Sequence, residues 1–381
     1  MNPACKDITS FLVMDILERA QEIEASGQRV IHLEVGEPDF DMPECAKEAA
    51  VAAVRDGKTH YTHSLGLPAL REAICALYAR EYGVTVTPDR VLVSGGTSPA
   101  MLLAFGALAR PGNHILMTDP GYACYPNFLR FMGLAPHYVP VAEENGFQFT
   151  DQSIAENVSD MTAGILINSP GNPTGTLITD KAMDAACATG IPVISDEIYH
   201  GLTYAGRARS ALEFTDDAIV LNGFSKRFAM TGMRLGYMIA PTAMMSLVQK
   251  LQQNLFICAS SVAQWAGLAA LSPEGMADAE KMRATYDTRR KALLAGLTKL
   301  GLAPRTEPTG AFYVFVRADR LGKDSLALAY DILEKVHLGV TPGIDFGPGG
   351  EGHLRFSYAN SLENIEEGLD RLGRYIAMRC S

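Results

Sequence analysis

The sequence predicts an α/β protein: a mainly parallel sheet flanked by helices, with a smaller α+β unit beside it. Three observations carry this. From Val91 to Ala240, short apolar runs alternate with helical stretches. Each run has the length and composition of a strand buried on both faces, and parallel neighbours need helical crossovers. After Ala240 the pattern turns to long helices followed by two isolated strand-like runs.

Taken in order, residues 11–25 carry apolar side chains at helical spacing, with Ser10 as candidate N-cap and Gly27 as the stop. Residues 30–35 predict a short strand, followed by the loop Gly36-Glu37-Pro38-Asp39-Phe40. Two helices follow, over 43–55 with Pro43 in the first turn, and over 68–82 with Gly83 as terminator. The alternating region predicts strands at 91–93, 114–117, 137–141, 164–167, 192–195, 219–221 and 237–240. Helices are expected at 99–108, 122–132 and 180–189 between them. Beyond lie helices at 244–253, 263–271 and 274–300, then strands at 312–316 and 353–358. No internal repeat or low-complexity run interrupts the chain.

The 381 residues are 48% hydrophobic and 20% charged, enough for a large core and two domains. A net charge of −10 argues against a nucleic acid or an anionic membrane as partner. The seven cysteines (Cys5, Cys45, Cys75, Cys124, Cys187, Cys258, Cys380) show neither a CxxC pair nor metal-ligand spacing. They read as reduced thiols, mostly small core residues, in a cytoplasmic protein. The first ten residues lack an apolar signal core, and no apolar run is long enough to span a bilayer.

In a doubly wound sheet, ligands bind beyond the carboxyl ends of the strands. Segments after five predicted strands hold the residues with chemistry: Gly95-Gly96-Thr97, Tyr122, Asn172, Asp196 with Tyr199, and Ser225 with Lys226. Gly95-Gly96-Thr97 precedes a helix, whose free N–H groups favour a phosphate; taken alone it is also a plain glycine turn. Thr97 and Ser225 add hydroxyl donors, and Arg234 adds a guanidinium fork suited to a phosphate dianion. Asp196 ends an apolar run, so its carboxylate calls for a cationic or hydrogen-bonded partner; a helix N-cap is the other role open to it. Tyr199 and Asn172 are candidates to hydrogen-bond a phenolic oxygen, and Tyr122 offers a flat face for an aromatic ring. Lys226 carries an amine whose pKa should fall beside an arginine, leaving imine chemistry open near neutrality. Arg355 sits in a strand-like run, opposite Leu354 and Phe356. It suits a carboxylate gripped bidentately, with a salt-bridged strand arginine as the plainer alternative. A lysine for an imine, an arginine for a phosphate and an aspartate for a pyridine nitrogen together suit pyridoxal 5'-phosphate (PLP).

As an ordered set, these motifs resemble the class I/II aminotransferases, PLP-dependent enzymes of fold-type I. The resemblance runs from Glu34-Val35-Gly36-Glu37-Pro38-Asp39 to the Arg355 strand. It rests on Asn172-Pro173-Thr174-Gly175, Asp196-Glu197-Ile198-Tyr199, Ser225-Lys226 and Gly232-Met233-Arg234-Leu235-Gly236. It implies a seven-stranded, mostly parallel sheet in a large PLP-binding domain at 46–280, with a small domain from 1–45 and 281–381. By the same resemblance, Lys226 forms the Schiff base and moves a proton, Asp196 faces the pyridine nitrogen, and Tyr199 and Asn172 bind the phenolic oxygen. Gly95, Gly96, Thr97, Ser225 and Arg234 form a phosphate cup, and Tyr122 stacks on the ring. Arg355, with Gly36 and Asn172 beside it, binds the substrate carboxylate. Tyr61 matches a tyrosine that reaches the neighbouring subunit's phosphate, which implies a homodimer with shared sites.

The implied activity is ping-pong transfer of an amino group from an L-α-amino acid to a 2-oxo acid. Some relatives place a lysine where this chain has Thr97, and Asn254-Leu255-Phe256-Ile257 lacks a cation. A neutral, aromatic or alanine-like donor is therefore favoured, with aspartate left open by His63. A carbon–sulfur β-lyase or a cyclopropane-forming synthase on the same scaffold is the alternative reaction. A non-catalytic amino-acid sensor is the alternative class, and no basic helix-turn-helix stretch precedes Phe11.

Overall fold

The computed structural model describes residues 6–380, so Cys5 lies outside the described residues, as does the thiol of Cys380. Strand β1 (Ile31–His32) precedes the run that forms the main sheet. That run comprises β2 (Val91–Ser94), β3 (His114–Asp119), β4 (Ala135–Pro140), β5 (Thr162–Asn168), β6 (Val193–Asp196), β7 (Ile219–Gly223) and β8 (Gly236–Ile239). The seven strands are ordered β2-β8-β7-β6-β5-β3-β4. Only β8 runs against its neighbours, pairing antiparallel with β2 and β7. The mainly parallel, helix-covered sheet expected from the sequence is the one observed.

The strands read as unbroken apolar runs because both faces are covered. Successive side chains enter different cores, as a period of two requires. Val93, Leu116, Ile165, Val193 and Val220 join one cluster, while Leu92, Ile115, Leu166, Ile194 and Ile219 join the other. Helices Pro68–Tyr82 and Ser261–Ala270 cover the first face through Leu70, Ile74, Ala263 and Ala266. Helices Thr97–Leu108 and Thr242–Leu255 cover the second through Met101, Leu103, Met245 and Val248. Each such fully buried aliphatic side chain contributes roughly 1.5–3 kcal/mol.

A smaller α+β unit lies beside this sheet. Its strands are β9 (Tyr313–Arg317), β10 (Leu338–Gly339), β11 (Thr341–Pro342) and β12 (His353–Ser357). The order β11-β12-β9 is antiparallel, and β10 pairs in parallel with β1. Its core draws on both ends of the chain, from Ile16, Ala20 and Ile31 to Leu333, Leu354 and Tyr375.

Several expectations need correction. The strand expected over 30–35 shrinks to β1, because the Glu34 carbonyl turns away to accept hydrogen bonds from Thr341 Oγ1 and Arg355. The helix at 122–132 begins only at Tyr125. Ser10 is not a cap: helix Leu12–Ala25 starts from Phe11, whose side chain makes no capping bond, while Ser10 Oγ donates to Asp15. Helices Asp151–Asn157, Ser325–Val336 and Leu362–Cys380 were not anticipated individually. Cys45, Cys75, Cys124, Cys187 and Cys258 are free but only half-buried, not core residues. Cys75 and Cys187 lie on the margin of a core, on helices whose other faces carry the packing. Among the described residues, no helix is long and apolar enough to cross a membrane.

Candidate active site

The carboxyl ends of the parallel strands open on a cavity of about 270 Å³. Gly36, Thr97, Tyr122, Asn172, Asp196, Tyr199, Lys226 and Arg355 all line it. The backbone explains why these positions converge. Asp196 is the last residue of β6, Lys226 follows the end of β7, and Thr97 begins the helix after β2.

The Lys226 amine donates to the Gly36 carbonyl at 2.7 Å. Burial brings its pKa down to about 8; Glu37 and Asp196 oppose the shift, while Arg355 and Arg234 add to it. Desolvation, more than a neighbouring arginine, is the main cause.

Asp196 is 4% exposed. Its carboxylate accepts from Tyr125 Oη at 2.8 Å and from the Ile198 N–H at 3.2 Å. Burial lifts its pKa to about 6 against those bonds. No helix follows it directly, so the N-cap alternative is not the structure adopted.

Tyr199 shares a hydrogen bond with Tyr313 Oη at 2.9 Å, and burial pushes both phenols above their ordinary pKa. Asn172 receives its backbone position from Asn168, whose Oδ1 accepts the Asn172 N–H at 2.8 Å. Its own Oδ1 accepts from Arg355 Nη1 at 3.0 Å.

Arg355 lies on β12 opposite Phe315 and Thr341 and is buried, while Leu354 and Phe356 point into the core as the alternation predicts. Its Nη2 donates to Glu34 O at 2.5 Å and to Thr341 Oγ1 at 3.0 Å. These acceptors are neutral, so the guanidinium is not consumed by a salt bridge, and its Nε is buried without a partner. Tyr313 and Phe346 flank it, with ring centroids 4.4 and 5.0 Å from Cζ.

Beside the cavity, Gly96 (φ 102°) starts helix Thr97–Leu108 without any side-chain cap. The Arg234 guanidinium crosses over it. A Cβ built on Gly96 would stand 2.9 Å from Arg234 Nη2. Gly95 and Arg234 meet at this end, the Arg234 carbonyl standing 3.9 Å from a Cβ built on Gly95, and Gly95, Ser225 and Arg234 do not line the cavity itself. Tyr61 is not brought in: it is 79% exposed and does not line the cavity. His63 is also elsewhere, its Nδ1 accepting the Leu65 N–H.

Sequence reasoning missed Tyr125, Tyr313, Glu34 and Thr341, which orient Asp196, Tyr199 and Arg355. Tyr125 had a usable signal, lying three residues after Tyr122 in a helical stretch. The other three meet their partners only through tertiary packing.

These groups fit PLP. An uncapped helix start beside a guanidinium suits a phosphate. A buried carboxylate of raised pKa suits a cationic ring nitrogen, and a desolvated amine suits an imine.

Comparison with known proteins agrees with this chemistry. The profile of aminotransferase class I and II matches residues 28–372. The chain is 41% identical over 370 residues to the (5-formylfuran-3-yl)methyl phosphate transaminase of Methanocaldococcus jannaschii, covering 96% of this chain and 97% of that protein. It is 37% identical to the valine–pyruvate aminotransferase of Mycobacterium tuberculosis, over 97% of each. The crystal structure of an aminotransferase from Mycobacterium tuberculosis superposes with a TM-score of 0.95, at 37% identity and 99% coverage of both chains. The fold is that of a fold-type I aminotransferase. The chain belongs to the class I and II aminotransferase family, whose members are in general PLP-dependent and act on amino and oxo acids.

Proposed function

We propose that this aminotransferase uses PLP to move the amino group of a neutral L-α-amino acid to a 2-oxo acid, through the residues gathered in the cavity. The carrying observation is the half-buried Lys226 amine, its pKa lowered to about 8, facing the same cavity as Asp196 and Arg355. Bound there, PLP supplies the electron sink for the bonding electrons of the substrate's α-C–H bond.

The chain's own residues do the rest. Arg355 holds the substrate carboxylate, with its guanidinium plane fixed by Glu34, Thr341 and Asn172. Lys226 Nζ is placed to take the proton from the substrate α-carbon and would hand it to the cofactor's C4′ carbon, across the shared nitrogen, a task suited to an amine with a pKa of about 8. Asp196 keeps the ring nitrogen protonated, and Tyr199 and Asn172 serve its phenolic oxygen. Gly95, Gly96, Thr97, Ser225 and Arg234 hold the phosphate, and Tyr122 packs on the ring.

Residues 46–280 form the proposed large domain, and 1–45 with 281–381 the small one. Two chains pair in this reading. Tyr61 and the exposed Leu255 and Ile257 then meet a second copy, and Tyr61 completes its phosphate site.

The test mixes PLP-loaded protein with one L-amino acid and no oxo acid. The visible absorbance should bleach, with one 2-oxo acid released per site. Persistent absorbance with steady release of ammonia and pyruvate from cystathionine would establish the β-lyase instead.

A further inference from the structure

We infer that helix Leu12–Ala25, held at its first turn by Asp345, is the wall that selects the substrate side chain, and that it selects an uncharged apolar one. This rests on the aminotransferase reading, narrows its neutral donor to one with an apolar side chain, and adds a positioning residue.

Phe11, Val13, Met14 and Leu17 line the same cavity as Lys226 and Arg355. Val13, Met14 and Leu17 share one helix face by their spacing. The neighbouring stripe, Ile16, Ala20 and Ile23, is buried in the core of the smaller unit. The helix is therefore fastened on one side and presents apolar groups on the other. Phe11 also meets Tyr122 edge-on, with centroids 6.3 Å apart.

The helix start depends on a distant residue. Phe11, at the N-cap, offers no side-chain acceptor. Asp345 supplies one for two donors, with Oδ1 taking the Leu12 N–H at 2.9 Å and Oδ2 the Val13 N–H at 3.3 Å. Asp345 is buried, 9% exposed. Its carboxylate therefore substitutes for the missing local cap and sets where Val13 and Met14 stand in the cavity.

Charge accounting gives the substrate class. Among the described residues lining the cavity, the cations are Lys226 and Arg355, and the mechanism already uses both. The remaining charges are Asp196 and, at the mouth, Glu37. Within this chain's share of the cavity, a second substrate carboxylate would be desolvated beside Glu37 with no cation left to pair it, which is unfavourable. An aliphatic or aromatic side chain instead gains contact with the helix face.

The experiment uses PLP-loaded full-length protein, its Asp345→Ala and Asp345→Asn variants, and L-alanine, L-leucine, L-phenylalanine and L-aspartate in single-turnover half-reactions. Amide hydrogen exchange over residues 12–25, without substrate, is measured in parallel. The wild type should favour leucine or phenylalanine over aspartate by roughly a hundredfold. Asp345→Ala should speed exchange at the helix start and lower the leucine-to-alanine ratio of kcat/KM roughly fivefold, mainly through KM. Asp345→Asn keeps one of the two oxygen acceptors and should restore part of that ratio; a loss due to charge alone would not be restored. Should Asp345→Ala fail to fold, Asp345→Asn decides: its ratio should lie between wild type and a twofold loss. Aspartate matching leucine in the wild type would overturn the substrate class. Faster exchange with an unchanged leucine-to-alanine ratio would overturn the role of Asp345. No turnover of any donor by the wild type would instead remove the aminotransferase reading beneath both.

Discussion

On one side of the cavity, Thr97, Asp196 and Lys226 each stand within three residues of a strand end. On the other, Arg355 is held by the carbonyl of Glu34, 321 residues away, and by Asn172, 183 away. The wall of Val13 and Met14 hangs from Asp345, 332 residues from Val13. The side proposed to carry the chemistry is thus placed by local chain geometry on a sheet buried on both faces. The side proposed to choose the substrate is assembled from the two ends of the chain. A reaction centre can stay constant on such a scaffold while its outer wall is rebuilt. The relatives fit that picture, since their names attach different substrates to one fold.

The largest expected effect is on the strand-end side. Lys226→Ala should lower single-turnover rates by at least about a thousandfold while PLP stays with the protein through ultrafiltration. Near-normal turnover would move the reaction centre off the sheet end. On the assembled side, Arg355→Lys replaces a planar fork with a point charge. A fall in kcat/KM of roughly a hundredfold, mostly in KM and with PLP retention unchanged, is expected from steady-state kinetics. Equal losses in kcat alone would show that Arg355 does not grip the substrate.

Tyr61→Phe probes a third contribution, the one proposed to come from a second copy. PLP affinity by equilibrium dialysis should weaken at least about tenfold, the effect of one hydrogen bond to a charged group. An unaltered affinity would leave each protomer's site self-contained.

The smallest effect concerns the support under Arg355. His32 Nδ1 lies 2.6 Å from Glu34 Oε1, and Glu34 is fully buried with Oε2 unpartnered. The bond to Glu34 raises the His32 pKa to about 9. A raised folded value means the stabilisation is complete below the ordinary histidine pKa of about 6.5 and is lost as pH rises through about 9. His32→Gln should therefore cost roughly 1 kcal/mol in urea unfolding at pH 6 and little at pH 10. An equal cost at both would show that the pair does not titrate in that window.

The sequence by itself determined the main sheet, its helical cover and the positions of Thr97, Asp196, Tyr199 and Lys226. Those features depend on short-range periodicity and on turns adjacent to strands, which neighbouring residues encode. Packing alone decided that Tyr125 donates to Asp196, that Tyr313 pairs with Tyr199, and that Arg355 is fixed by uncharged oxygens. It also decided that Ser10, a good cap by type, would be passed over in favour of Asp345. A helix start needs an acceptor, but it does not matter to the N–H groups where in the chain that acceptor comes from. Only the folded arrangement brings a carboxylate from the far end of the sequence to Leu12 and Val13.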